Sequence, residues 1–300
     1  MICCMVLLFA GCQNGDNGQN GHPDSSGSGT DQGPQEAKIF AEGVVVGKDD
    51  LASRILITER TGDSVRAAWL SVTTETQMTT SENEAISFTD IQVGHRLEAW
   101  HTGEMRESFP EQGTAAKIVL LPQTNVPSGW ISEQQAVQTA LASVTESEAI
   151  WTVEETALDE EGEQWTVSLA AAQETEEPRA VSVDAQSGRV IQMQNDAFRV
   201  FAPAKSETVG SSFTVEGKAR VFEAAFMWEL EDGHNILAQG QGMAAEGAPE
   251  WSDFTVRVSY DPNQVTNPHL NLILYVNSAK DGSREHELIY PLIPQENAQN

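Results

Sequence analysis

Alternation of hydrophobic and polar residues predicts that most of the chain from residue 37 onward forms β-strands. Over residues 37–122, short β-prone runs alternate with turn signals such as Thr61-Gly62-Asp63-Ser64. Five or so strands with glycines at the bends predict a small OB-like β-barrel. The β-prone runs are Ala41–Val46, Arg54–Thr58, Val65–Leu70, Gly94–Trp100 and Ala115–Leu120.

The pattern changes to that of an amphipathic helix after Ile131, which predicts an α+β domain over residues 128–196. Ser132 can cap this helix, and the side chain of Gln135 can return a hydrogen bond to the cap. Strands are expected to follow the helix, the last of them after the turn Asp184–Arg189. The four segments are Ile150–Glu154, Gln164–Leu169, Arg179–Asp184 and Val190–Met193.

Residues 198–295 contain about seven strand-like runs, and their number and spacing predict a β-sandwich. Phe213–Val221 alternates cleanly, but the pattern of Phe222–Leu230 is out of phase with it. A phase slip between neighbouring strand patterns predicts a bulge or bend. The fold class that results is mainly β, with one α+β domain between the barrel and the sandwich.

The first 36 residues differ in character from the rest. Met5–Ala10 is a short apolar run that ends in Gly11-Cys12, after which the chain becomes abruptly polar. Residues 1–12 resemble a bacterial lipoprotein signal, which implies that Cys12 is acylated and becomes the mature N-terminus. Residues 13–36 are rich in Gly, Asn, Asp, Ser and Gln, a composition that predicts a disordered tether.

The chain is strongly acidic, with 45 Asp and Glu against 17 Lys and Arg and a formal net charge of −28. Because nucleic-acid binding depends on basic side chains that displace phosphate counterions, nucleic acid is excluded as a partner. Residues 123–196 alone hold 14 acidic and two basic side chains. No run approaches the 18 or more apolar residues of a membrane-spanning helix, so membrane contact is expected only through a lipid on Cys12.

No sequence motif of catalysis is present: the chain lacks a G-x-S-x-G elbow, an H-E-x-x-H pair and a phosphate-binding loop. A non-enzymatic protein without cofactor or metal is therefore expected. His95 and His101 lack a third ligand, so polar positions on the barrel rim are favoured over a zinc site. His22 is interpreted as a solvated residue of the tether. Asp159–Glu163 lacks the ligand spacing of a calcium loop and predicts a solvated hairpin tip.

Two motifs in the first two domains carry resemblances to known families. Val93–Trp100, with the final run Ala116–Leu121, resembles the small β-barrel domain of many Gram-positive lipoproteins of unknown role. The helix, the strands and the hairpin V-D-A-x-S-G-R-V-I from Val183 to Ile191 resemble the PepSY-type domain of secreted-peptidase propeptides and envelope proteins. The second resemblance implies binding or restraint of a secreted peptidase.

The third domain carries the most specific resemblance. Three motifs together resemble the immunoglobulin-like domain associated with bacterial spore-germination lipoproteins. They are F-x-V-x-G-x-A-R-V-F-E-A from Phe213, then W-x-L-x-D-G, then G-M-A-A-E-G-A-P-E-W-S-D-F. This resemblance implies a binding or structural module without a known active site. Most of the motif positions are interpreted as scaffold, either small residues at bends or aromatic residues in the core. They are Gly217, Ala219, Val221, Phe222, Glu223, Gly247, Ala248, Pro249 and Phe254.

The binding candidates lie at two of these motif segments. A Trp beside Pro and Gly on a loop offers a rigid contact surface, so the loop from Glu246 to Trp251 is the stronger segment. The alternative for Trp251 is packing in the core. The candidate residues are Glu223, Glu246, Pro249, Glu250 and Trp251.

These patterns predict a lipid-anchored envelope binding or structural protein of a spore-forming Gram-positive bacterium, acting in germination or spore assembly. The expected location is the outer face of the cytoplasmic membrane, with the membrane contacted through Cys12. The other expected partner is an envelope protein or a peptidoglycan component. An alternative is a peptidase inhibitor or regulator that acts through residues 128–196. A wall hydrolase is a third hypothesis, because 45 acidic residues leave room for a pair of catalytic carboxylates. The same abundance means that the sequence does not indicate which carboxylates would form the pair.

Overall fold

The computed structural model describes residues 37–144, 149–173, 178–233 and 235–295. Cys12, His22, the tether and His234 lie outside the described residues. Three hydrophobic clusters lie in the three regions whose folds the sequence patterns predict. Among the described residues, no helix has the length and apolar composition that crossing a bilayer requires.

The first region forms the predicted β-barrel. Its sheet has the strand order β3-β2-β1-β5-β6-β4, and β3 also pairs in parallel with β6, which closes five strands into a barrel. Phe40, Ile55, Ile57, Leu70 and Leu97 are fully buried inside it. The short strand β4 was not predicted. The strands are β1 (Ala37–Asp49), β2 (Arg54–Thr61), β3 (Ser64–Ser71), β4 (Gln77–Thr80), β5 (Arg96–Arg106) and β6 (Glu111–Leu120).

The second region is a helix packed on a three-stranded antiparallel sheet, here called the helix–sheet domain. The predicted capping box is present, because Ser132 Oγ accepts from Gln135 N and Ser132 N donates to Gln135 Oε1 at 2.9 Å. Trp165 is buried beneath the helix, at 1% exposure. The elements are α1 (Glu133–Ser143), β7 (Trp151–Asp159), β8 (Gln164–Ala171) and β9 (Arg179–Asp184).

The fourth strand predicted for this domain, Val190–Met193, is wrong. Val190 forms a single bridge to Val183, and the chain then leaves the helix–sheet domain. The two-residue strand β10 (Met193–Gln194) pairs instead with Arg199 and Val200 of the next domain. The hairpin motif is therefore followed by a crossing into the third domain.

The third region is the predicted β-sandwich, and its described residues form nine strands rather than about seven. One sheet has the order β10-β11-β13-β16 and the other the order β12-β18-β17-β14-β15. Phe198, Phe226 and Phe254 meet edge to face in the core, with ring centroids 5.3 and 4.9 Å apart. The remaining strands are β11 (Phe198–Ala202), β12 (Thr208–Val209), β13 (Ser212–Ala219), β14 (Ala225–Glu231), β15 (Ile236–Met243), β16 (Ser252–Ser259), β17 (Leu270–Asn277) and β18 (Arg284–Pro294).

The barrel and the helix–sheet domain share an interface that the sequence did not predict. Val44 of β1 belongs to the hydrophobic cluster of the helix–sheet domain. Arg96 Nε lies 3.0 Å from Glu133 Oε1 at the start of α1. Burial acts to raise the pKa of Glu133, but hydrogen bonds from Thr124 and Arg96 lower it below its usual value. The two regions are therefore joined by apolar burial and by a satisfied ion pair.

Candidate functional site

One end of the sandwich brings together the two segments that hold the binding candidates. We call residues 221–224 and 244–251 the loop end. Ala244 N donates to Ala224 O at 2.8 Å, and Ala248 N donates to Val221 O at 2.8 Å. Gly247 fits against this turn, because a Cβ there would lie 3.1 Å from Ala224 N. Two segments at least 20 residues apart in sequence therefore form one surface.

The predicted phase slip between β13 and β14 takes the form of a single turn of 3-10 helix at Phe222–Ala224. Glu223 and Ala224 both have φ of 58°, in the left-handed region that ordinary residues rarely adopt. Such backbone is stable only where the surrounding structure holds it in place. Here the hydrogen bonds to Val221 and Ala224 do so, and they fix the turn against the neighbouring loop.

The interpretation of Phe222 as a core aromatic residue is wrong. The side chain of Phe222 is 79% exposed, and that of Met243 at the end of β15 is 65% exposed. The register places Met243 opposite Ala225, directly after the turn that carries Phe222. Sequence reasoning missed both residues, because a Phe within a strand-like run normally faces the core. The loop end and the adjoining end of β15 thus present apolar side chains to solvent.

Four of the five sandwich residues proposed for binding are exposed at the loop end. They are Glu223, Glu246, Pro249 and Glu250. Ser252 Oγ accepts from Glu246 N at 2.7 Å and holds the loop in place. The structure therefore combines acidic side chains with exposed Phe222 and Met243, a mixture suited to contact with a protein surface.

Trp251 does not belong to this exposed surface. It is 8% exposed, so the packing alternative applies to it. The guanidinium carbon of Arg199 lies 4.1 Å from the ring centroid, and that of Arg220 lies 4.8 Å from it. Such stacking of guanidinium groups on an indole is favourable. Trp251 therefore anchors the loop end to the sandwich below it.

Arg199 also belongs to a buried charged cluster between the sandwich and the helix–sheet domain. Its Nη1 lies 3.1 Å from Asp184 Oδ2, and Lys218 Nζ lies 2.8 Å from Asp184 Oδ1. The three side chains are at most 3% exposed as residues. Two cations thus share one carboxylate, and Arg199 also donates to Gln194 Oε1 and Gly162 O.

The charge of Asp184 is maintained despite its burial. Burial acts to raise the pKa of Asp184, but hydrogen bonds from Lys218 and Ser187, together with the charge of Lys218, lower it below its usual value. Burial lowers the pKa of Arg199, whereas the neighbouring charge of Asp184 opposes that change. The sequence patterns indicate only a turn at Asp184, because the partners of its carboxylate lie 15 and 34 positions later in the chain.

A polar cleft of about 540 Å³ opens beside Trp251, between this cluster and the hairpin tip predicted at Asp159–Glu163. Its lining includes Asp159, Gln164, Asn195 and Arg220. The lining also includes the carboxylates of Glu161 and Asp196, so the cleft combines acidic groups with hydrogen-bonding amides and the guanidinium of Arg220. The tip itself is a tight turn, in which Gly162 N donates to Asp159 Oδ1 at 2.9 Å.

The two histidines considered for a metal site lie on β5 and in the turn before it. His95 Nδ1 accepts from Gln92 N at 3.0 Å and so stabilises the turn before β5. Burial lowers the pKa of His95, and the charge of Lys48 lowers it further, which favours the neutral ring that this hydrogen bond requires. His101 lies on β5, in the same sheet. Within the parts of the chain that the structure describes, no three His, Cys, Asp or Glu side chains form a potential metal site.

Comparison with known families identifies the sandwich. Residues 197–283 match the model of the immunoglobulin-like domain of bacterial spore germination. The matched segment begins one residue before β11 and includes Arg199, Lys218, Trp251 and the loop end. A search of curated proteins and a search of solved structures found no match. The PepSY-type and lipoprotein resemblances stay predictions.

Proposed function

We propose that this chain is a lipid-anchored envelope protein of a spore-forming Gram-positive bacterium, and that its sandwich is a binding or structural module acting in germination or spore assembly. The observation that carries the proposal is the match of residues 197–283 to the immunoglobulin-like domain of bacterial spore germination. The anchor is Cys12, and the location is the outer face of the cytoplasmic membrane.

The loop end is the contact surface in this proposal. Exposed loops at the ends of immunoglobulin-like sandwiches are well placed to bind, because a rigid double sheet positions them. Phe222 and Met243 supply apolar area, and Glu223, Glu246 and Glu250 supply charge around it. The partner class is an envelope protein or a peptidoglycan component.

Deletion of the gene, followed by complementation, tests the role in germination. Spores of the deletion strain are expected to lose optical density more slowly after germinant addition, and the wild-type gene restores the rate. Phe222→Ser should restore it poorly, because it removes the exposed aromatic ring. Leu51→Ser is the matched control, since Leu51 is fully exposed on the barrel, far from the loop end in sequence. Normal germination and normal spore assembly in the deletion strain would disprove the proposed role.

Cell fractionation tests the anchor separately. The wild-type chain is expected in the membrane fraction and Cys12→Ala in the soluble fraction, because diacylation supplies two long apolar chains. Equal membrane retention of both chains would disprove acylation at Cys12 while leaving the germination experiment interpretable.

A further inference from the structure

The four outermost strands of the sandwich differ in how they are protected against pairing with another chain. Edge strands carry unpaired main-chain groups, and proteins usually protect them by shortness, charge or proline. β10 and β12 are two residues long, and β16 carries Asp253 and Arg257. β15, Ile236–Met243, is eight residues long and contains no charged residue and no proline.

The free side of β15 is defined by its pairing with β14. Ala244 N donates to Ala224 O, so alternate residues counted back from Ala244 direct their main-chain groups toward β14. Gln239 and Gln241 therefore direct their N–H and C=O groups to the other side. Within the described residues, the sheet ends there, and one bridge from Ala244 to Phe254 joins the far end of β15 to β16.

The uncharged side chains and glycines of β15 leave this edge accessible. Gly240 and Gly242 lie under the rings of Trp228 and Phe226, where an added Cβ would come within 2.7 and 2.2 Å of ring atoms. These rings cover the inner face of the strand, so its glycines do not open the core to solvent. On the outer face, Gln239 and Gln241 are exposed.

The charges around β15 favour one class of occupant. The sandwich holds 13 acidic and seven basic side chains over residues 197–295, and acidic residues flank both ends of β15. Glu231 pairs with Ile236 at one end, and exposed Glu246 and Glu250 follow the other end. A second copy of the chain would bring another net charge of −28 to the interface. Charge therefore opposes self-pairing and favours a cationic partner.

We propose that β15 is a strand-addition site, and that an extended segment of a partner protein carrying Lys or Arg pairs with its free edge at Gln239 and Gln241. Main-chain hydrogen bonds would supply the affinity, and the acidic residues at both ends would select for positive charge. This inference names the partner of the proposed binding module and so rests on the proposed function. The two are tested separately: if the peptide probes do not bind but the deletion strain germinates slowly, strand addition is disproved and the proposed function is not.

The probes are synthetic nine-residue peptides that alternate Val or Thr with Lys, and matched peptides with Glu in place of Lys. Calorimetry with the full chain is expected to show at least a tenfold weaker association for the Glu peptides. Hydrogen exchange should show slower exchange at the amides of Gln239 and Gln241 when the Lys peptide is bound. Equal affinity for both peptides, or protection elsewhere only, would overturn the proposal.

Gln241→Pro removes an outward N–H without removing a hydrogen bond to β14, and proline is tolerated at such edge positions. It is expected to weaken binding of the Lys peptide at least tenfold. Gln241→Thr keeps the N–H and changes the same side chain, so it should bind within about twofold of wild type. Equal losses in both variants would assign the effect to the side chain and contradict strand addition.

A modified peptide tests the same point without changing the protein. Methylation of every peptide nitrogen removes the N–H groups on both edges of the extended peptide, and it should abolish binding to β15. Retained binding of the methylated peptide would overturn the proposal even if Gln241→Pro does not fold. Dimerisation of the chain through β15 in sedimentation experiments would also overturn it, in favour of a second copy.

Discussion

Lys218 of the sandwich and Asp184 of the helix–sheet domain form a buried ion pair, with Nζ 2.8 Å from Oδ1. Asp184 also accepts from Arg199 Nη1 at 3.1 Å, so one carboxylate neutralises one of two buried cations. Removal of a partner from a buried ion pair is costly because it leaves an uncompensated charge. The loss in free energy of unfolding therefore depends on which of the three residues is substituted.

Asp184→Asn is expected to destabilise the chain by about 3–5 kcal/mol, because it leaves two buried cations without a carboxylate. Lys218→Met should cost less, since Arg199 and Asp184 remain as a neutral pair. Asp50→Asn is the control and should change the stability little, because the Asp50 side chain is 76% exposed in its ion pair with Lys48. Urea unfolding measures all three free energies, and a larger loss in Lys218→Met than in Asp184→Asn would contradict this account.

The same pair makes a prediction about pH. The pKa of Asp184 is lower in the folded chain than the usual value of about 3.9 in an unfolded one. Its contribution to stability is therefore present above about pH 4 and is lost as pH falls through the lower, folded pKa. The stability difference between wild type and Asp184→Asn should be constant from about pH 5 to 7 and shrink below about pH 4. A constant difference down to about pH 2 would exclude ionisation of Asp184 as the cause.

Gly217 makes the closest backbone approach in the sandwich core. An added Cβ would lie 2.1 Å from Arg199 O and 2.7 Å from the ring of Phe254. Because backbone cannot move aside cheaply, Gly217→Ala should cost about 3 kcal/mol or more, at the upper end of overpacking effects. Gly210→Ala is the matched control, since it would meet only the flexible side-chain end of Gln295 at 3.3 Å. Equal melting temperatures for the two variants would contradict the clash.

Local sequence was sufficient for features that local contacts decide. The capping box at Ser132 and the alternation of Phe213–Val221 both appear in the structure, because a cap and a strand face depend on near neighbours. The barrel was predicted from the number and spacing of its short strands, although its closure pairs β3 with the distant β6.

The features that sequence reasoning missed depend on distant residues or on unusual backbone. Met193 leaves the helix–sheet domain because its pairing partner is Val200 across the domain junction. Trp251 is buried because Arg199 and Arg220 cover it, and neither is a neighbour in sequence. Phe222 is exposed because the next two residues are left-handed, which no alternation pattern reveals.

Gly94, in the turn before β5, packs closely against helix α1. Its φ is +95°, and an added Cβ would lie 2.2 Å from Gln134 O in α1. Gly94→Ala should therefore destabilise the chain through both backbone strain and a clash with the helix. Gly103→Ala provides the control, because Gly103 has a φ of +72° and no atom within 4 Å of its added Cβ. Differential scanning calorimetry should show the larger loss for Gly94→Ala; equal losses would mean that strain alone acts.

Glu223 holds a left-handed conformation that glycine adopts without steric cost, with φ of 58° and ψ of 14°. Left-handed backbone costs an ordinary residue about 1–2 kcal/mol, and glycine adds about 0.4–1 kcal/mol of unfolded-state entropy. Glu223→Gly should therefore leave the stability unchanged or raise it by up to about 1 kcal/mol. Glu246→Gly, at an exposed position of the same loop end without positive φ, should lower the stability by about 0.5–1 kcal/mol. Chemical denaturation compares the two, and equal losses would show that the turn at Glu223 relaxes in solution, which would remove the constraint that holds Phe222 outward.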